Sequence, residues 1–109
     1  MNMLNQIIIE GNVETDAVVE SGIHGDMMKF PISTLRFYKN TDGERVEEKD
    51  IFDIVAYGDM CEVVGSLKKG KGVRVVGRLK QSVWENKSGK KVSKVFIIAE
   101  HIEIKIHGV

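Results

Sequence analysis

Residues 54–85 read IVAYGDMCEVVGSLKKGKGVRVVGRLKQSVWE, and the spacing of their apolar residues changes twice. At the start, Ile54 and Ala56 alternate with Val55 and Tyr57, the two-residue period of a strand with two different faces. Then Met60, Val63, Val64 and Leu67 fall at i, i+3, i+4 and i+7, which is one face of a short helix. Asp59, with Glu62 three residues on, gives this helix a capping-box-like start. Lys68 and Lys69 suit the negative end of its dipole, and Gly70 can close it in the left-handed conformation. Gly65 weakens it. From Val73 the two-residue period returns and runs to Glu85. The segment predicts strand, short helix, strand.

The flanking sequence adds strands on both sides. Leu4 to Val13 is dense in β-branched residues, with a bend or bulge at Gly11-Asn12. Ala17 to Glu20 continues it to a turn at Ser21-Gly22. Met27 to Phe37 forms a second strand, with Pro31 belonging at an edge or bulge because it cannot donate to a ladder. Asn40-Thr41-Asp42-Gly43 signals a hairpin whose Asp-Gly pair supplies positive φ angles, and Glu48 to Tyr57 is the third strand. Val73 to Glu85 is the fourth, and Asn86-Lys87-Ser88-Gly89 turns into a fifth from Lys91 to about Ile106. Three strands, one helix and two strands is the connectivity of an all-β, five-stranded Greek-key OB-fold barrel with its helix between the third and fourth strands. An open α+β sheet shares the same string of elements. The 109 residues are expected to form one domain, 1–109, without repeats or linkers.

Composition excludes several classes. At 42% hydrophobic, the chain is too apolar for a disordered tail. It has no apolar run near the roughly 20 residues of a membrane span and no signal-peptide order at its start, so a cytoplasmic location away from membrane is expected. The single cysteine, Cys61, excludes an internal disulfide framework and a multi-cysteine zinc site; it is expected on the helix as an ordinary small residue. His24, His101 and His107 lack ligand spacing, and Gly70-Lys71-Gly72 follows a helix instead of preceding one. No metal, cofactor or enzymatic activity is expected.

Charge is neutral overall but divided. Residues 1–54 hold five basic and eleven acidic side chains, net −6; residues 55–109 hold eleven and five, net +6. Residues 68–94 carry ten of the basic side chains and one acid, Glu85. Such a division points to a surface that faces a polyanion, or to a solvated hairpin whose lysines confer solubility. In the fourth strand Val73, Val75, Leu79 and Val83 share one parity and read as core. The other parity carries Arg74, Val76, Arg78, Lys80, Ser82 and Trp84, so a tryptophan stands among cations. Burying its ring would contribute several kcal/mol, from about 150–250 Å² at roughly 25 cal/mol per Å². Left outside, it suits a stacked base while the cations take phosphates; a ring curled over the barrel end or packed in a subunit contact is the alternative. In the third strand Phe52, Ile54 and Ala56 read as core, with Ile51, Asp53, Val55 and Tyr57 on the other face. Tyr57 is a second stacking platform or an amphipathic ring at a strand end. Phe37 and Tyr38 close the second strand beside the hairpin, while Phe30 and Phe96 read as core. Basic residues interleaved with sparse aromatics on successive strands describe a single-strand-binding surface better than a catalytic pocket.

With these residues placed, the chain resembles the bacterial single-stranded DNA-binding protein family from about Asn5 to about Ile106. Asn5–Val13 is similar to the family's first strand, and Phe30-Pro31-Ile32-Ser33-Thr34 to its apolar segment ending in Ala-Thr. Asp42-Gly43-Glu44 resembles the Thr-Gly-Glu turn, and Ile54-Val55-Ala56-Tyr57-Gly58 the Val-Val-aliphatic-Phe-Gly motif. Leu67-Lys68-Lys69-Gly70, Gly77-Arg78-Leu79-Lys80, Val83-Trp84 and Ser88-Gly89 follow in the family's order. The resemblance implies that Phe37, Tyr57 and Trp84 stack on bases and that Lys68, Lys69 and Lys80 are basic contacts. Together with Arg74, Arg78 and Lys87, these form the expected nucleic-acid-binding set. Ile51 departs from a stacking tryptophan, Asp53 from a common basic residue and Val83 from another. The chain stops at Val109 without the family's Gly/Pro/Gln-rich linker and acidic, Phe-ended tip, as a fragment or a tailless paralogue would. The implied function is sequence-independent binding and protection of single-stranded DNA in replication, recombination and repair. It would act at the nucleoid as a homotetramer or dimer, with replication or repair proteins as further partners. The rivals are a tailless primosome-type accessory acting through proteins, a structural OB domain, and an RNA-binding OB domain.

Overall fold

The computed structural model describes residues 1–105. The strands are β1 (Ile7–Val13), β2 (Val18–Gly22), β3 (Gly25–Lys39), β4 (Arg45–Tyr57), β5 (Gly72–Glu85) and β6 (Lys91–Ile104), with a 3-10 helix over Gly58–Ser66. The expected extension of the last strand to Ile106, and His107, lie outside the described residues. Neighbouring strands run β1-β5-β6-β4-β3, and β3 returns to β1 through Asn12↔Ser33 and Val13↔Ile32, which closes a five-stranded barrel. Among the described residues only β4 and β6 pair in parallel, at Ile54↔Ile97 and Val55↔Ile98. This is the all-β OB barrel that the order of elements implied.

β1 and β2 lie on one edge of β3, both antiparallel to it. The continuation of the first strand is therefore real, but interrupted at residues 14–17. There the Glu14 amide donates to the Pro31 carbonyl and the Ala17 amide to the Leu67 carbonyl, so the interruption leaves neither donor orphaned. At the same joint Lys49 Nζ donates to Glu14 at 2.8 Å, which with Ser33 holds the Glu14 carboxyl below its ordinary value. This clamp stabilises the fold above the ordinary carboxylate pKa and is lost as pH falls through the lowered one.

The core comprises Val13, Met28, Phe30, Ile32, Ile54, Ala56, Val73, Val75, Ile97 and Ala99, closed at one end by Cys61 and Leu67. The helix has a three-residue period rather than the α period, which stacks Cys61, Val64 and Leu67 at i+3. Cys61 is on the helix as expected, as a small residue buried in the core. No side chain caps the helix, so the capping role expected of Asp59 is not taken up. Burial, and secondarily the nearby Asp26, pushes the Cys61 thiol above its ordinary pKa. At pH 8 Cys61 is expected to react with an aromatic disulfide reagent at least tenfold more slowly than in the urea-unfolded chain. Equal rates would place the thiol outside the core.

Two hairpins, β3–β4 and β5–β6, run on past the barrel. Their tips use one device: Asn40 Oδ1 accepts from the amides of Asp42 and Glu44, and Asn86 Oδ1 from those of Ser88 and Lys90. Gly43 and Gly89 alone take positive φ in these turns, both at 79°, so Asp42 does not share that conformation as expected. Because the arms leave the barrel, three residues of core parity are exposed: Phe52, Leu79 and Val83, at 39%, 45% and 59%. Strand alternation remains intact, but beyond the barrel no opposing layer among the described residues buries the inner face. Phe96 is likewise only half-buried, on the outer face opposite Lys80.

Candidate nucleic-acid interface

Register decides which side chains share the outer surface. On β5 and β6, Arg78 lies opposite Ile98, Lys80 opposite Phe96, Ser82 opposite Lys94 and Trp84 opposite Val92. Ile98 neighbours Val55 of β4; on β4 and β3, Asp53 lies opposite Pro31, Val55 opposite Lys29 and Tyr57 opposite Met27. Alternation turns all of these to the same face. Part of this face forms a groove of about 560 Å³ lined by Trp84, Phe96 and Lys94, by Asp53 and Tyr57, and by Lys29, with Arg78 and Lys80 further along the same face outside its lining. Its far rim is formed by Thr15 and Asp16 from the β1–β2 interruption and by Val18 and Glu20 of β2.

Trp84 and Tyr57 are 47% and 48% exposed, so each ring is anchored on one side and open on the other. Phe96 forms part of the apolar wall, a role that reading it as core missed. Phe37 is also half exposed but stands on the β3–β4 arm, away from the groove lining. Its ring lies 4.7 Å from the Arg45 guanidinium carbon, a cation–π contact that fixes the ring and adds a cation beside it. Sequence reading did not select Arg45, because only the hairpin register brings it to Phe37.

The expected cations divide into three groups. Arg78, Lys80 and Lys87 are exposed and make no salt bridge among the described residues; the first two share the Trp84 face and Lys87 sits in the β5–β6 turn. Lys68 and Lys69 stand at the groove rim through Asp16: the Lys68 ammonium is 3.9 Å from its carboxylate, and the Lys69 amide donates to it at 2.8 Å. Arg74 is engaged elsewhere. Its guanidinium pairs with Glu10 of β1 at 3.0 Å and Glu103 of β6 at 3.8 Å, its register partners on either side, where Lys105 also joins. Within the groove, Lys94 Nζ is 2.8 Å from Asp53 Oδ2. Ile51, one alternation step from Asp53 toward the arm, is 55% exposed opposite Ser33.

Half-open rings beside unpaired cations can stack flat, uncharged faces while neutralising a chain of anions. Among the described residues no cluster of His, Cys, Asp or Glu could hold a metal ion, and no helix is long and apolar enough to cross a membrane.

Comparison with known proteins points the same way. The chain matches the model of the single-strand binding protein family over residues 4–105. A single-stranded DNA-binding protein of Aquifex aeolicus (strain VF5) is 43% identical over 104 residues, covering 94% of this chain and 70% of the relative. Those of Wolinella succinogenes and Treponema pallidum are 32% and 36% identical, with 64% and 57% of their lengths covered by 94% and 93% of this chain. The chain thus spans between 57% and 70% of the length of these relatives. Among solved structures, the Plasmodium falciparum SSB complex with ssDNA superposes with a TM-score of 0.85 at 21% identity, covering 96% of this chain and 97% of that one. The small single-stranded DNA-binding protein from Streptomyces coelicolor gives 0.74 at 25% identity, covering 97% of each.

Proposed function

Because the chain belongs to the single-strand binding protein family, we propose that it coats single-stranded DNA without strong sequence preference. Bases stack on Trp84 and Tyr57 across the groove and on Phe37 along the arm. Arg78, Lys80 and Lys87, with Lys68 and Lys69 at the rim, take the phosphates. The observation that carries this reading is the pair of half-open rings, Trp84 and Tyr57, on one groove beside unpaired cations. Arg74, neutralised by Glu10 and Glu103, adds least.

A role in replication, recombination and repair as a homotetramer or dimer at the nucleoid, with replication or repair proteins as partners, belongs to the same proposal. Two features of β1 support self-association. Among the described residues, 7–11 bond to β5 on one side and no strand pairs with their other edge, and Ile8 is 66% exposed on the outer face.

Binding measured by anisotropy of labelled oligo-dT across a salt series tests the mechanism. With about four to six phosphates neutralised, log K is expected to fall against log salt with a slope of about −3 to −4. A salt-insensitive affinity would remove phosphate pairing from the account. Oligo-U compared with oligo-dU in the same series reports whether the 2′-hydroxyl matters.

A further inference from the structure

We propose that Asp53 is a built-in competitor for phosphate: by holding Lys94, it lowers the groove's affinity for DNA and makes the salt dependence shallower. This rests on the DNA-binding reading above. Lys94 lies opposite Ser82, between the positions of Lys80 and Trp84 on the neighbouring strand, so it is the groove-lining cation nearest in register to the indole. A strand with a base on Trp84 brings its phosphates to that level. Yet the Lys94 ammonium already lies 2.8 Å from the Asp53 carboxylate, reached from β4 across the β4–β6 boundary.

Both side chains are about half exposed, 57% for Lys94 and 48% for Asp53, so an incoming polyanion meets them as a pair. To use Lys94, a phosphate must displace a carboxylate with which it shares charge and hydrogen-bonding chemistry. If the carboxylate stays, the ammonium neutralises no phosphate, and no cation condensed on the DNA is released at that position. Asp53 is thus not merely a lost basic position. It silences the cation best placed to act with the tryptophan.

Asp53→Asn keeps the shape of the side chain and removes its charge. For oligo-dT at about 20 mM salt, this variant is expected to bind roughly three- to tenfold more tightly. Its salt slope should steepen by about 0.7, the contribution of one further phosphate on a single strand. The double variant Asp53→Asn/Lys94→Gln lacks both charges and should return to the parent affinity and slope. Thermal unfolding of each chain checks the fold, and Asp53→Ser supplies the same readouts should Asn disturb it. An Asp53→Asn chain with parent affinity and slope overturns the proposal, as does a double variant that binds as tightly as Asp53→Asn. Failure of the parent chain to bind oligo-dT would instead overturn the DNA-binding reading itself.

Discussion

Trp84→Ala is expected to weaken oligo-dT binding by about 1–3 kcal/mol, roughly five- to 150-fold, while the barrel stays folded. The loss is large because the indole is this chain's only tryptophan and the widest ring on the groove. The fold survives because the ring belongs to the outer face of the β5–β6 arm, 47% exposed and outside the core cluster. Its deletion leaves no cavity of the kind that makes truncation costly. Trp84→Phe keeps a stackable face and should recover most of the affinity. Anisotropy titrations of the three chains, each with a melting curve, check this. An Ala variant with parent affinity would make Trp84 structural.

The largest effect on stability is expected at Gly77. There the β5–β6 register shifts: Val76 faces His101 but Gly77 faces Ala99, so β6 carries the extra residue Glu100. The bulge presses the two backbones together. A Cβ on Gly77 would fall well inside contact distance of the Ile98 carbonyl oxygen and crowd the Ala99 Cα. Both are main-chain atoms and cannot rotate away. Gly77→Ala is therefore expected to cost at least about 2 kcal/mol and lower Tm by about 10 °C or more. Gly65 is the control: a Cβ there meets nothing within 4 Å and its φ is ordinary. Gly65→Ala should stay within about 1 kcal/mol of the parent. Equal melting temperatures for the two variants would mean the bulge tolerates a side chain.

The contrast between Gly77 and Leu79 shows how much of the architecture the sequence discloses. Val73, Val75 and Gly77 were legible as inward-facing, and the alternation that carried the reading continues unbroken to Val83. What alternation does not encode is where the barrel stops. Leu79, Val83 and Phe52 have core parity but stand on arms with no opposing layer, so they are exposed. The short helix was legible in position because Leu67 must be buried; its tighter winding was not, since Cys61-Val64-Leu67 and Met60-Val64-Leu67 differ by one residue.

The site divides along the same line. Outward rings follow from parity within one strand, and Trp84 and Tyr57 were found that way. Whether a cation is free depends on cross-strand neighbours far away in sequence. Arg74 read as a phosphate ligand and instead faces Glu10 and Glu103, while Lys94 and Phe96 entered the groove by pairing with β5. Asp53 was legible as a departure from the family pattern, but its hold on Lys94 emerges only when β4 and β6 lie side by side.

Because the chain has a single tryptophan, emission excited at the red edge of indole absorption, where Tyr38 and Tyr57 do not absorb, reports on one ring of the groove. Poly-dT added at low salt is expected to quench that emission to saturation, and concentrated salt to restore it as the phosphates are released. Unchanged Trp84 emission while labelled DNA demonstrably binds would contradict stacking at the groove and move the interface to another face of the barrel.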